Sequence, residues 1–301
     1  MNQVTRRDFL RTSAIGVASA SVDRTLHGHD KINSRVRGVL LGAQSYSFRD
    51  RDVYQVVEGM SELGIGLVEL WQGHMEDVTA SSEGELREDL RRWRMNVPLE
   101  NFEAIGQRFH GAGIKVYAYN YSFRGDMSDG EIERGFEMAQ ALGANVITAS
   151  ANVSMASRID RFARRYQMRV GMHNHSSFDY NEFTSPADFD LAMLGNSDYI
   201  AINLDIGHFT AAGFDAWDYI SRRYDEIVAL HIKDRKRDDG ENSPFGEGDT
   251  PITEVLQLLR DEKLVIPANI EYEYKGGDTI EEMKRCLAYC ETALKGRVGE
   301  G

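Results

Sequence analysis

Five short segments concentrate the side chains that could do chemistry: Val68-Glu69-Leu70-Trp71, Gly171-Met172-His173-Asn174-His175, Asn203-Leu204-Asp205-Ile206-Gly207-His208, Ala229-Leu230-His231-Ile232-Lys233-Asp234 and Asn269-Ile270-Glu271-Tyr272-Glu273. Each stands at the end of a short apolar run. Five of the chain's eight histidines fall on such ends: His74, His173, His175, His208 and His231. In a strand, residues i and i+2 face the same way. His173 and His175 therefore point together, as do His231 and Lys233, and Glu271 and Glu273. With the first of each pair turned inward, four successive strands offer His173, Asp205, His231 and Glu271 around one axis. Two imidazoles and two carboxylates suit Mn2+, Zn2+, Co2+ or Fe2+ better than Ca2+, with Mn2+ the first choice, and the lack of thiolate excludes a structural zinc cage. Four protein ligands on an ion that accepts five or six leave room for substrate oxygens. Any one of these residues alone reads more simply as a capped turn, a hydrogen-bonded histidine or a surface ion pair. Their recurrence at equivalent places on consecutive strands argues for a shared site.

The elements that must position them are legible as an alternation of two periods. Buried-strand runs are expected at Val39–Tyr46, Gly66–Trp71, Lys115–Tyr121, Asn145–Ala149, Arg169–His173, Tyr199–Asp205, Ile227–Ile232 and Pro267–Tyr272. Amphipathic helices are expected at about 52–63, 85–112 with a break near Pro98, 129–142, 155–167, 185–194, 215–224, 251–262 and 278–295. Gly64, Gly113 and Gly143 stand where helices should stop. Thr250-Pro251 offers a capping hydroxyl before a proline in the first turn. Strand then helix, eight times over, predicts an α/β fold, a single (β/α)8 TIM barrel, with its chemistry on the loops after the strands. A doubly wound open sheet would call for a glycine-rich phosphate turn after the first strand, and Leu41-Gly42-Ala43-Gln44-Ser45 is not one.

Composition narrows the partners. The 301 residues carry a net charge of −13, which argues against nucleic acid and acidic membranes. No apolar run reaches the ~18 residues of a membrane span. Cys286 and Cys290, four apart on an expected helix, read as buried small hydrophobes. A homo-oligomer is compatible with all of this. At the N-terminus, Thr5-Arg6-Arg7-Asp8-Phe9-Leu10-Arg11 is followed by a modestly apolar run, Ala14 to Ala20, that ends in Ala18-Ser19-Ala20. The string resembles a twin-arginine export signal. Residues 1–34 are accordingly expected to be signal and linker, residues 35–301 the TIM-barrel domain, and the protein to be periplasmic or otherwise exported.

Leu204-Asp205-Ile206-Gly207-His208, Leu230-His231-Ile232-Lys233-Asp234 and Ile270-Glu271-Tyr272 together resemble the xylose-isomerase-like TIM-barrel family of sugar epimerases, ketose isomerases and inosose dehydratases. The resemblance covers essentially the whole chain after residue 35. It implies one divalent metal, with Asp205, His231 and Glu271 in the places of the family's Asp, His and final Glu. It also implies that His208 contacts substrate beside the ion. Epimerases usually carry Glu at the end of the fifth strand, where this chain has His173-Asn174-His175. A histidine-rich fifth strand looks more like the inosose-dehydratase branch and exported relatives acting on 3-keto sugars.

The chemistry implied is proton abstraction next to a carbonyl on a sugar or keto-sugar. Returning the proton gives epimerisation or isomerisation, and losing a β-substituent gives dehydration or glycoside cleavage. Glu271 or His175 would serve as base, with His208 or Lys233 serving the leaving group. Lys233 and Asp234 could equally be structural. Glu69 is expected to orient a ligand or a substrate hydroxyl, and Glu247 lies in a candidate substrate loop, Pro244-Phe245-Gly246-Glu247-Gly248-Asp249. Of the aromatics Tyr46, Phe48, Trp71, Tyr119, Tyr121 and Phe123, one or two, Trp71 foremost, would form a sugar-stacking platform. The rival classes are a metal-assisted phosphodiesterase and a non-catalytic sugar-binding barrel. The acidic charge and the single ligand set speak against the first, and the intact Asp205–His231–Glu271 set speaks against the second.

Overall fold

The computed structural model describes residues 31–76, 78 and 82–296. The expected export segment lies outside these residues except for its last four. Eight parallel strands form the wall: β1 (Val39–Gln44), β2 (Leu67–Trp71), β3 (Lys115–Asn120), β4 (Val146–Ala149), β5 (Arg169–His173), β6 (Ile200–Asp205), β7 (Ile227–Ile232) and β8 (Ala268–Ile270). Each pairs with the next, and β1 pairs with β8 through Leu41 opposite Ala268 and Ala43 opposite Ile270, so the sheet closes. The fold is a TIM barrel. A two-residue strand, Arg35–Val36, folds back antiparallel on β1.

Ten helices among the described residues surround the wall: α1 (Val53–Leu63), α2 (Glu83–Asn96), α3 (Glu100–Gly111), α4 (Asp129–Ala141), α5 (Ala156–Tyr166), α6 (Pro186–Met193), α7 (Ile206–Ala211), α8 (Ala216–Arg223), α9 (Ile252–Asp261) and α10 (Thr279–Lys295). The expected break at Pro98 separates α2 from α3. Gly64, Gly113 and Gly143 close their helices in the left-handed region, at φ of 69°, 79° and 76°. Helix α7 was not expected, because its six residues are too few to show a period. The Thr250 hydroxyl does not cap α9; it accepts from the Arg235 backbone N–H instead, tying the loop before α9 to the end of β7.

The interior of the barrel is layered. Ala118, Val146, Ala201 and Val228 fill its lower part. On β6 every second residue faces in, and Ala201, Asn203 and Asp205 climb from this apolar layer to the mouth. Gly42 leaves space for the inward layer: a Cβ there would lie 2.3 Å from Asn269 Oδ1. The aromatics Phe48, Tyr119, Tyr121 and Phe123 are fully buried and belong to the core between wall and helices. Only Tyr46 and Trp71 of the expected platform keep part of their surface. No helix among the described residues is long and apolar enough to cross a membrane.

Candidate metal centre at the barrel mouth

Pairing across β5 to β8 sets Asp205 beside His231, and His231 beside Asn269, one residue short of the end of β8. His173 is the last residue of β5, and Glu271 follows β8 directly, its N–H donating to the Ile232 carbonyl (3.0 Å). The structure thus brings His173, Asp205, His231 and Glu271 to one level of the barrel. Asp205, His231 and Glu271 can each place a ligand atom within 4.8 Å of the others, and so can His173, Asp205 and His208. His173 packs on His231 with ring centroids 4.8 Å apart.

Local hydrogen bonds decide which atom each residue presents. Asp205 caps α7: its Oδ1 accepts from the His208 backbone N–H (2.7 Å), which turns Oδ2 toward the cluster, 3.0 Å from Lys233 Nζ. The Asn174 carboxamide clamps the Asp205 backbone, donating to its carbonyl (3.1 Å) and accepting from its N–H (2.9 Å). His231 Nε2 faces Glu69 Oε1 (2.9 Å), which would hold a proton on that nitrogen, and Nδ1 turns into the cluster, 3.0 Å from Glu271 Oε2. Glu69 is fully buried. It also accepts from Gln44 (2.7 Å), Thr148 (2.6 Å) and Asn269 (2.9 Å). It therefore meets the cluster from beneath and orients His231, as carboxylates behind metal-binding histidines do.

Four buried atoms of the cluster have no hydrogen-bond partner: His173 Nδ1, Asp205 Oδ2, His231 Nδ1 and Glu271 Oε2. Buried polar atoms are rarely left so. Among the described residues they face one another, with His231 Nδ1 3.0 Å from Glu271 Oε2, the His208 ring, whose Nε2 is 3.9 Å from Asp205 Oδ2, and the Lys233 ammonium, which lies 3.0 Å from Asp205 Oδ2, 3.0 Å from Glu271 Oε2 and 2.5 Å from Glu273 Oε2. Two overlapping sets of mixed N and O chemistry that share Asp205, one with His231 and Glu271 and one with His173 and His208, fit a divalent cation.

The titration behaviour agrees with this charge pattern. Burial works against a charged His231, but Glu69 and Glu271 outweigh it and hold the imidazole well above its ordinary pKa. Such a proton is what a bound dication would replace. Burial and neighbouring histidines push His173 well down, so it presents a lone pair. Burial opposes ionisation of Glu271 too, yet Lys233 and His231 keep its carboxyl well below the usual range. The Lys233 ammonium is held charged by Asp205, Glu271 and Glu273 against its burial.

The remaining expected residues are placed as follows. His175 is half-buried at the mouth, 4.9 Å from His173 and 5.4 Å from His208 between ring centroids, and burial lowers its pKa. His208 stands with Nε2 at 3.3 Å from Lys233 Nζ. Trp71 packs edge-on against Tyr46 and His74 at the mouth end of β2. His74 itself does not join the cluster; its Nε2 bonds the Ser45 carbonyl (2.9 Å). Glu247 is exposed. It lines an outer cleft with Tyr274, Lys275 and Arg285, and no contact among the described residues links it to the cluster. Asp234 folds its loop: its carboxylate accepts from the N–H groups of Gly246 (2.8 Å), Gly248 (3.0 Å) and Thr250 (3.2 Å). Cys286 and Cys290 are buried free thiols, and burial pushes Cys286 up to about 12.

Sequence reasoning missed Asn174, Ser176, Asn203, Arg235 and the inward Gln44, Thr148 and Asn269. All are polar residues at or just past strand ends. Inward periodicity from Asp205 back to Asn203 and from Glu271 back to Asn269 was the available signal.

Residues 57–290 match the profile of the xylose isomerase-like TIM barrel family. The chain belongs to this family. Among solved structures it is similar to a probable 3-DHS dehydratase from Bacillus anthracis, at 17% identity and a TM-score of 0.61 over 82% of this chain and 97% of that one. It is also similar to the 3-keto-D-glucoside 4-epimerase from E. coli, at 14% identity and 0.64 over 84% and 99%. A third is the IolI protein with a binding zinc atom, at 13% identity and 0.66 over 85% and 98%. At these identities the likeness is one of fold. No curated protein matches the chain in sequence.

Proposed function

We propose that this protein is a divalent-metal-dependent enzyme of the sugar isomerase and epimerase type, acting by proton abstraction next to the carbonyl of a sugar or keto-sugar. The observation that carries the reading is the buried set Asp205, His231 and Glu271, each able to place a ligand atom within 4.8 Å of the others, with His173 beside it in the overlapping set that shares Asp205. These residues would hold one ion, Mn2+ being the first choice and Zn2+, Co2+ or Fe2+ alternatives. When bound, the ion supplies Lewis-acid polarisation of a carbonyl oxygen and its neighbouring hydroxyl.

The protein's own groups divide the rest. Asn174, Glu69 and the α7 cap fix the direction of the ligand atoms. His175, half-exposed at the mouth and kept neutral by burial, holds an available lone pair for the proton beside the carbonyl. Glu271 is the alternative base through the oxygen it does not give to the ion. Lys233, permanently charged, and His208 stand beside Asp205 to serve an oxygen that gains charge or leaves. The tat-like string Thr5 to Arg11 supports action outside the cytoplasm, on substrates that are seldom phosphorylated. Replacing Arg6 and Arg7 with Lys should stop export of a fused reporter; unchanged export would remove that part of the reading.

A second reading, β-elimination from a 3-keto-glycoside or inosose, is favoured by His173. An imidazole replaces the carboxylate that the epimerase pattern places at the end of the fifth strand, so an opposed pair of carboxylate bases is not available. One experiment tests both. Incubation with Mn2+ and a 3-keto-glycoside in D2O should either place deuterium on the carbon next to the carbonyl with the aglycone retained, which marks epimerisation or isomerisation, or release the aglycone and leave that carbon unsaturated, which marks elimination. Neither exchange nor release with any divalent ion would leave the barrel as a sugar-binding module.

A further inference from the structure

His208 is in the second of the two possible ligand groups, with His173 and Asp205. The neighbours of its ring decide whether it can act there. Arg235 is buried just past β7, and its Nη1 lies 2.6 Å from His208 Nδ1. The same Nη1 lies 2.6 Å from Ser176 Oγ. The far edge of the guanidinium is fixed by the Gly240 carbonyl, 3.0 Å from Nε and 2.6 Å from Nη2. Asp239 completes the shell: Ser176 Oγ donates to its Oδ1 at 2.5 Å, and Arg235 Nη2 reaches the same oxygen at 3.5 Å.

A guanidinium has donors and no acceptor. A nitrogen facing it at 2.6 Å must therefore offer a lone pair. The Ser176 hydroxyl, 3.4 Å from the same nitrogen, has its single proton committed to Asp239. Nδ1 of His208 is thus unprotonated, and the proton of the neutral ring sits on Nε2. One other cation approaches Nε2, the Lys233 ammonium at 3.3 Å. It is the longer contact, and Lys233 has three carboxylates, those of Asp205, Glu271 and Glu273, to take its three protons.

We infer that Arg235 is a positioning residue that locks His208 as the neutral Nε2–H tautomer, making this histidine a hydrogen-bond donor to a substrate oxygen and removing it from the metal's ligand set. His231 is the opposite case. A carboxylate sits behind its Nε2, so its Nδ1 is left to ligate. The two histidines stand beside the same Asp205 and are assigned different work by the charge of the group behind them. The inference deepens the proposed function, since the donor role supposes a polyhydroxylated or carbonyl substrate. The tautomer itself does not depend on the reaction.

The test is long-range proton–nitrogen correlation on the full chain labelled with 15N-histidine at neutral pH. Expected is a His208 ring whose Nδ1 resonates as the unprotonated nitrogen and Nε2 as the protonated one. That pattern should persist on adding Zn2+, while His231 Nδ1 takes on the shift of a metal-bound nitrogen. A wild-type ring protonated on Nδ1, or a His208 Nε2 that moves to the metal-bound position, overturns the assignment without any variant being made. Arg235→Met should move the proton to Nδ1, freeing Nε2 to accept from Lys233, and Arg235→Lys should restore the original pattern in part. An Arg235→Met protein that keeps its far-ultraviolet dichroism and the wild-type tautomer also overturns it. If D2O exchange fails with every substrate while the tautomer is as expected, the proposed reaction falls and the lock stands.

Discussion

Glu69 takes hydrogen bonds from the neutral side chains of Gln44, Asn120, Thr148 and Asn269 and faces His231 at the bottom of the site. Its negative charge would make His231 a better ligand on the opposite nitrogen in the proposed site. Glu69→Gln keeps the shape and removes the charge, and it turns an amide N–H toward donors that need an acceptor. Mn2+ affinity measured by calorimetric titration should fall about 10–100-fold, the usual cost of losing such a partner; unchanged affinity would mean that His231 does not ligate through Nδ1. Glu271→Gln acts on the ion and on proton transfer together. It should lower deuterium exchange beside the carbonyl by about 10²–10⁴-fold or more, the range general acid–base groups command. Near-normal exchange would remove Glu271 from the chemistry. At this scale the sequence exposed the candidate ligands and hid what directs them. His173, Asp205, His231 and Glu271 are rare residue types recurring at strand ends, so they stand out by eye. Arg235 and Ser176 meet His208 across 27 and 32 residues of chain. Nothing local in either segment distinguishes them from ordinary loop polarity.

The elements were legible where period and punctuation agree. The eight strands are short and mostly apolar, and Gly64, Gly113 and Gly143 end the helices before them at positive φ. Strand ends were read too long at β1 and β8. Apolar and aromatic residues continue past the last ladder bond, and Ser45–Phe48 turns into a short 3-10 helix instead. Helix α7 was invisible because Asp205 serves at once as the last residue of β6, as a cap and as a candidate ligand. A second element junction has a measurable pH signature. Glu131 opens α4 with its side chain fully buried, and it accepts from Arg87 (2.8 Å) and Arg91 (3.1 Å) on α2 and from the Ser128 N–H (2.9 Å). Burial alone would raise its pKa, but these donors outweigh it and bring it down to about 2. A depressed carboxyl stabilises the fold above its unfolded pKa of about 4.5 and ceases to do so as pH falls through about 2. Glu131→Gln should therefore destabilise at pH 7 by about 1.5–3 kcal/mol, the usual loss for hydrogen bonds to a charged group. In denaturant titrations the gap to wild type should narrow steadily from about pH 4.5 toward pH 2. A gap that stays constant across that window would assign Glu131 a packing role without charge.

For the whole molecule, the site is a concentration of negative charge inside a closed barrel. Glu69, Asp205 and Glu271 are buried together, and Lys233 is the one lysine among them. In a low-dielectric interior such a group repels itself, and a cation that binds only the folded barrel relieves the repulsion. Binding to the native state stabilises by mass action, about 2.7 kcal/mol when the free ion is at a hundred times its Kd. For a chain of this size about 2–4 °C of Tm accompanies each kcal/mol. Saturating Mn2+ should therefore raise the calorimetric Tm by roughly 5–10 °C over the chelator-treated protein, while Mg2+, which favours all-oxygen shells, should do much less. Glu271→Gln should erase much of that rise, because it removes the carboxylate charge from the proposed ligand set without touching the helices. A Tm that ignores Mn2+, Zn2+ and Co2+ in the wild type would show that these four residues do not hold an ion, and the reaction proposed for the barrel would go with it. A rise that survives in Glu271→Gln would place the ion elsewhere, with His173, Asp205 and His208 as the first set to examine, and would break the tautomer assigned to His208 at the same time.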